Sequence, residues 1–375
     1  MINCGLNKKN IFTLLVLCLF ISPSFAKYSG GTGTSTDPYL ISTPQDMNAI
    51  GADVNDWNKC FKLISDINMA CYTGTQYKII GNRSQEFTGI FDGGWHVIRN
   101  FNYKGTTSFV RWIGLFGHTR NATIKNLGME NVDVNTVNGG WVGALIGEQE
   151  YGIVSNCYCS GNIKNIAIDQ GTSVGGLIGY QFYGSYSNCY SACNVQSFIS
   201  KYLSNTGSFA GTQSYGTIRN CYSTGSVSLI SSSVGYHSSC GGFVGRQDNY
   251  SNCIIESCYS TGWVYSEGDV YCGGFLGQYG GSGTLSSCFW NIETSDREFG
   301  IDFGFSNNVI GKTTAEMQTV ATFKNAGWDF VDTWDIGENQ TYPFLRKFNI
   351  SDLNRDKSVN MFDFAIFAEN WLVEM

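Results

Sequence analysis

Gly175-Gly176-Leu177-Ile178-Gly179 is an apolar pair framed by glycines, and the same frame returns along the chain. It stands at 114–117 (GLFG), 143–147 (GALIG), 207–211 (GSFAG), 241–245 (GGFVG) and 273–277 (GGFLG). The closing glycines advance by 30, 32, 32, 34 and 32 residues. A second anchor follows each frame in step: Asn126-Leu127, Asn156-Cys157, Asn188-Cys189, Asn220-Cys221, Ser257-Cys258 and Ser287-Cys288. Two anchors in step mean one structural unit copied. A unit this short cannot bury its own apolar face, so the copies must stack.

The second anchor gives the shape of the unit. Three residues before the anchor Cys or Leu stand Ile124, Val154, Tyr186, Ile218, Ile255 and Leu285, and six after it stand Ile163, Val195, Val227 and Val264. From the Cys onward these inward positions alternate with period two, which is strand geometry; the three-residue step before it requires a bend at the Asn or Ser. Asn tolerates the left-handed backbone of such a bend. Stacking places Asn126, Asn156, Asn188 and Asn220 above one another, where their amides can bond along the stack. The expected fold is all-β, a right-handed parallel β-solenoid with N- and C-terminal caps. A β-propeller is the competing architecture, but its period is longer, about 40 to 50 residues.

The ends of the chain set further bounds. Lys8 and Lys9 precede an apolar run from Ile11 to Ile21, and Ser24-Phe25-Ala26 supplies small residues for cleavage, so residues 1–26 read as a signal peptide of a secreted or cell-surface protein. The run is short of the about 20 residues of a membrane span, and no other segment suits one. Loss of the leader removes two of the 23 basic residues and leaves 21 against 30 acidic ones, a net charge of −9. That acidity argues against nucleic acid as a partner. Cys4 and Cys18 leave with the leader, and twelve of the 14 cysteines stay. Export favours disulfides, yet Cys157, Cys189, Cys221, Cys258 and Cys288 share one inward column and are expected as buried thiols. Pairing is expected off that column, for example Cys60 with Cys71 or Cys240 with Cys272.

Residues 27–110 form an N-terminal cap and first coils, with a short helix expected near Pro44 to Ala52, and Asp92 and His96 as turn and edge residues. The repeats fill 111–292. Residues 293–348, with a helix start at Thr313 and the aromatic residues Trp328, Trp334 and Phe344, suit a closing cap. Residues 349–375 are a separate segment.

The GLFG, GALIG, GGLIG, GGFVG and GGFLG frames with their Asn-Cys-Tyr strands resemble the bacterial GLUG-motif repeat proteins. The flanks DPYLIST, FTGIFDGGWHVI and GKTTAEMQ are similar to those of that family, and the likeness spans residues 28–345. It implies a secreted β-helical surface protein without an established enzymatic activity. The fourth frame departs from the pattern, since Phe209-Ala210 replaces Leu-Ile, which implies a looser coil. The last residues resemble a dockerin calcium loop, a relative of the EF-hand. On that likeness calcium is the cofactor, held by Asp352, Asn354, Asp356, Ser358, Asn360 and Asp363, with an amphipathic helix following. Lys357 stands where the loop prefers Gly, which weakens binding. A dockerin carries two such segments and this chain one, which puts a cohesin-like partner in question.

The leading functional expectation is a non-catalytic solenoid for adhesion or for contact with polysaccharide or a surface protein, tethered through the calcium segment. Tyr158, Tyr190, Tyr222, Tyr259 and Phe289 follow the anchor Cys and are expected to face outward, as a stripe on which sugars stack or over which loops pack. The alternative is a β-helix polysaccharide lyase or glycoside hydrolase. Such an enzyme needs a carboxylate pair or a base. The best pair is Glu148 and Glu150, expected on a solvated loop.

Overall fold

The computed structural model describes residues 27–105, 109–233 and 235–348. With 48% strand and 9% helix, strand pairing carries the architecture, a β-solenoid of about seven turns. One coil shows the plan. The strand Ile153–Ala167 forms the long face, Thr172–Gly175 a second wall, and Ile178–Phe182 a third, before the chain turns at Tyr183-Gly184 and starts the next coil at Ser185. Parallel pairing of successive coils builds a 19-stranded, a six-stranded and a seven-stranded sheet from these walls.

The bend is where the spacing predicts it. Asn126, Asn156, Asn188 and Asn220 have φ of 55°, 53°, 53° and 51°, and Ser257 and Ser287 follow at 53° and 52°. Asn is the residue that adopts this backbone at least cost, because its short amide bonds locally. The amides stack over three of the four rungs: Asn156 Nδ2 donates to Asn126 Oδ1 at 2.9 Å and Asn188 Nδ2 to Asn156 Oδ1 at 3.4 Å, while Asn188 Oδ1 receives no bond from Asn220. Asn126 in turn donates to Asp92 at 3.0 Å, so the ladder reaches one coil below the repeats. Asp92 therefore serves the turn, as expected.

The glycine frame makes a corner between the second and third walls. A Cβ on Gly179 would lie 2.5 Å from the Val142 nitrogen and 2.7 Å from the Gly147 oxygen, so only glycine lets the two walls approach here. The residue inside the frame points the other way and fills the core. Leu115, Leu145, Leu177, Phe209, Phe243 and Phe275 are all buried, one per coil. Phe209 is stacked on Phe243 at 4.8 Å and meets the edge of Tyr186, so the fourth frame is filled by a ring and is not the loose coil its departure implied.

The column Cys157, Cys189, Cys221, Cys258 and Cys288 is fully buried, and all twelve described cysteines are free thiols. Each column thiol donates to the carbonyl two residues back, as Cys221 does to Arg219 O at 3.1 Å. Cys240 and Cys272 are register partners, but side chains on adjacent parallel strands leave the sheet side by side rather than converging, and no bridge joins them. Cys60 and Cys71 are likewise unbridged. Cys221→Ser places a hydroxyl in an apolar column but leaves it the Arg219 carbonyl to bond. It is expected to cost about 1 kcal/mol, with the fold retained. Chemical denaturation of the variant checks this, and a loss above about 3 kcal/mol would contradict it.

Stacking extends past the repeats on both sides. Tyr39–Ile41 pairs with Cys60–Leu63, and that strand with Ile90–Asp92. At the far end Val309–Lys312 pairs with Cys288–Asn291. A helix at Pro44–Ala52, held by a Thr43 capping box, drives Met47 and Ile50 into the core.

The segment after Lys312 packs on the outside of the stack, over Tyr222, Tyr259 and Phe289. Its short helices Thr314–Met317 and Val320–Lys324 and the antiparallel pair Trp334–Asp335 with Phe344–Leu345 lie along the long face. They form a strap running back toward the N-terminal coils, ending at Phe348 against Trp95, Tyr158 and Tyr190.

Candidate functional site

The aromatic stripe exists, but the strap covers much of it. Tyr158, Tyr190, Tyr222 and Tyr259 stack with centroids 4.9, 4.8 and 5.0 Å apart, and Tyr259 is in register with Phe289. Tyr222, Tyr259 and Phe289 are buried under Met317, Phe323, Trp328, Trp334 and Leu345. The Tyr259 hydroxyl donates to Pro343 O at 2.5 Å. The rings face away from the core, as expected, and of the two expected uses the covering one holds for Tyr222, Tyr259 and Phe289, whose outer surface a later stretch of chain takes.

A second aromatic ladder stays on the surface. Tyr151, Tyr183, Tyr215 and Tyr250 stack at 4.7, 4.3 and 3.9 Å on the turn between the third wall and the long face. Tyr151, Tyr183 and Tyr215 each have positive φ and precede a positive-φ glycine. The Tyr-Gly pairs recur at intervals of 32 and are a third anchor that was readable in the sequence. Their faces are spent on one another, which suits them to holding turns together more than to binding.

The glycine corner opens on its outer side into a groove. One wall carries, in register, Trp112, Trp141, Ser173, Asn205, Ser239 and Tyr271, each two residues before a frame. The other carries His118, Glu148, Tyr180, Thr212, Arg246 and Gln278, each next after a closing glycine. Bonds across the groove prove that the rows face each other. Trp112 Nε1 donates to Glu148 Oε2 at 2.5 Å, Asn205 Nδ2 to Thr212 Oγ1 at 3.0 Å, and Ser239 to Gln278 Oε1 at 3.1 Å. Ser173 and Thr212 share a short hydrogen bond and shut the middle of the groove. At the N-terminal end the Trp112–Glu148 bond spans the groove, and Trp112, Trp141 and Tyr180 are half-buried, their rings partly exposed.

Glu148 and Glu150 are on the strand Ile146–Glu150, not on a loop, and Glu148 is only 9% exposed. The two acids converge on His118, whose Nε2 is 3.7 Å from Glu148 and 3.8 Å from Glu150. Burial pushes the Glu148 carboxyl up from its ordinary pKa, against the Trp112 bond and the charge of Arg83, which pull it down. Burial pushes the His118 imidazole down, against Glu86 and Glu150. A carboxyl raised on folding stabilises the native state less as pH rises through its folded value, whereas a depressed His withdraws stability as pH falls below its ordinary value. Glu148→Gln keeps an acceptor for Trp112 and removes the ionisation cost, so at pH 8 it is expected to melt at or above the parent. Glu148→Ala strands the indole N–H and is expected to cost about 1–3 kcal/mol. Thermal melts of both variants at pH 4 and pH 8 check this; a Gln variant less stable than the parent at pH 8 contradicts it.

The remaining sequence candidates divide simply. His96 Nδ1 lies 3.2 Å from Asp66 on an exposed edge, a structural pair. The calcium-loop residues Asp352, Asn354, Asp356, Ser358, Asn360 and Asp363 lie outside the described residues. Among the described residues no three His, Cys, Asp or Glu side chains are grouped to hold a metal ion, and no helix is long and apolar enough to cross a membrane.

The GLUG motif matches residues 202–228 and 236–265, two successive coils of this stack, including the corner made by Phe209. Those two coils carry the GLUG motif. Over 135 residues the chain is 32% identical to a "Putative Gly-rich membrane protein" of Evansella cellulosilytica, a stretch that is 34% of this chain and 15% of that protein. Over 146 residues it is 26% identical to "Halomucin" of Haloquadratum walsbyi, which is 36% of this chain and 1% of the relative. The chain thus spans a small part of the length of these curated relatives. A solved structure titled as a "putative immunoglobulin A1 protease" from Bacteroides ovatus superposes with a TM-score of 0.55 at 20% identity, over 85% of this chain and 95% of that one. That likeness speaks for the fold of the coils and for nothing about their chemistry.

Proposed function

We propose that this chain is an exported, non-catalytic GLUG solenoid that presents a surface for adhesion, meeting a polysaccharide or a surface protein at the corner groove and tethered through the calcium segment of residues 352–363. The observation that carries this reading is the groove itself. Each coil contributes one side chain to each wall, so the array offers a linear surface with rungs about 4.8 Å apart. Half-buried rings gather at its N-terminal end. Surface placement is supported by the names of the relatives.

A second reading has one specific observation in its favour. Glu148, raised by burial and set beside aromatic rings and a second acid, has the environment of a general acid, as a polysaccharide lyase or glycoside hydrolase needs. The test of both is a glycan array on the mature chain with and without calcium, read together with depolymerisation assays. Binding without chain cleavage is expected, with calcium bound at about 10⁻⁴ to 10⁻³ M by calorimetry. Cleavage that Glu148→Gln abolishes would replace the first reading with the second. Loss of calcium binding in Asp352→Ala and Asp363→Ala is expected, and identical heats in those variants would remove calcium from the account.

A further inference from the structure

We propose that the N-terminal end of the corner groove is a subsite for an acidic sugar, a uronate unit of a polysaccharide, with Trp141 and Tyr180 as its stacking surface and Arg111 as the partner of its carboxylate. This rests on the non-catalytic contact reading and names the ligand class and the site.

Arg111 is the observation that leads there. Its guanidinium lies 5.1 Å from the ring centre of Trp141, 5.6 Å from that of Trp112 and 5.7 Å from that of Phe109. Among the described residues it makes no salt bridge, although its charge is felt by Glu148 and five other arginines of the acidic chain are paired. Arg99 bonds Asp66 and Glu130, Arg120 pairs with Glu86 and Glu150, Arg219 with Glu256, Arg246 with Asp248, and Arg346 with Asp335. The rings hold the Arg111 head in place while its N–H fork makes no salt bridge among the described residues, and that planar fork matches a carboxylate with two parallel bonds.

The rings supply the rest of a sugar site. Trp141 stands between Trp112 and Tyr180, with centroids 5.9 and 5.5 Å away, and so forms a continuous aromatic patch on three successive coils. A pyranose ring has an apolar C–H face and polar edges, which calls for an aromatic floor with hydrogen-bonding groups at its rim. The rung spacing of about 4.8 Å is close to the length of one pyranose unit, so a glycan lying along the axis presents about one sugar per coil. Charge favours the anionic sugar. Glu150 is paired with Arg120, and Glu148 is tied to the Trp112 indole, so neither acid is left free beside the rings. Beyond Tyr180 the bond between Ser173 and Thr212 shuts the groove, so the site is short and the chain of sugars leaves it toward solvent.

Calorimetry of the mature protein with oligogalacturonate, and with a cello-oligosaccharide as the neutral control, tests this. The expected result is binding of the uronate alone, weakened by added salt and reduced about tenfold or more by Arg111→Gln. Trp141→Ala should reduce it as well. Because Arg111 is exposed, its Gln variant should keep the parent's melting temperature, so that the test does not depend on whether the Trp variant folds. Binding untouched by Arg111→Gln, preference for the neutral sugar, or no uronate binding overturns the site and leaves a role in contacting another glycan or a protein standing. Cleavage of oligogalacturonate overturns the non-catalytic reading instead.

Discussion

Gly211→Ala should leave the protein unable to assemble its middle coils. A Cβ there would sit 2.5 Å from the Val174 nitrogen, 2.7 Å from the Gly179 oxygen and 2.8 Å from the Ser173 carbon. All three are main-chain atoms of the second and third walls, and each is fixed by ladders to the coils above and below. No rotamer change relieves such a clash, so the walls must part and their ladder bonds break. The expected loss exceeds about 4 kcal/mol, in the range reserved for severe structural change. Gly235→Ala is the control, because a Cβ there meets nothing within 4 Å and only its φ of +79° opposes the change. Thermal unfolding of both variants decides the matter: a Gly211→Ala protein melting within about 2 °C of the parent would sink the close-approach argument.

Trp334→Ala is expected to release the strap and leave the coils folded. Trp334 is fully buried, with Trp328 at 4.5 Å, Tyr222 at 6.0 Å and Tyr259 at 6.2 Å. Truncating a buried Trp costs about 3–5 kcal/mol. The strap's apolar cluster is distinct from the main core, so that loss falls on the strap's attachment. Limited proteolysis should then cut within residues 313–348 while far-ultraviolet circular dichroism keeps its strand signal. Simultaneous loss of both would show that the coils depend on the strap for their own folding.

Positions that repeat in chemistry were readable in the sequence, and those that repeat only in place were not. Asn126 to Asn220 and Cys157 to Cys288 keep one residue type at one phase, so bend, ladder and thiol column followed from spacing. The groove rows change character at each coil, from Trp141 to Ser173 to Asn205, and carry no such signal until the walls are seen to face each other. Alternation also places Tyr222 and Tyr259 off the core without saying what lies above them. The aromatic residues of the strap, Trp328 and Trp334, announce burial but not where, because a segment outside the repeat has no register to read. Glu148 illustrates the same limit: a strand acid two residues from another looks solvated until Trp112 and His118 are found packed on it.

The strap changes how the array comes apart. Coils that touch only their neighbours behave as a chain of linked units, each able to fray from an open end at a free energy set by one interface. Here one stretch of chain grips several coils at once, from Trp328 Nε1 bonded to Ser287 O at 3.0 Å to Phe348 set against Tyr158. Opening the last coil therefore means loosening contacts on coils well below it. Cooperativity that a bare stack lacks is thereby imposed from outside, and amide hydrogens of the C-terminal coils should exchange with solvent nearly as slowly as those of the middle, the usual gradient from end to centre being flattened on the face beneath the strap.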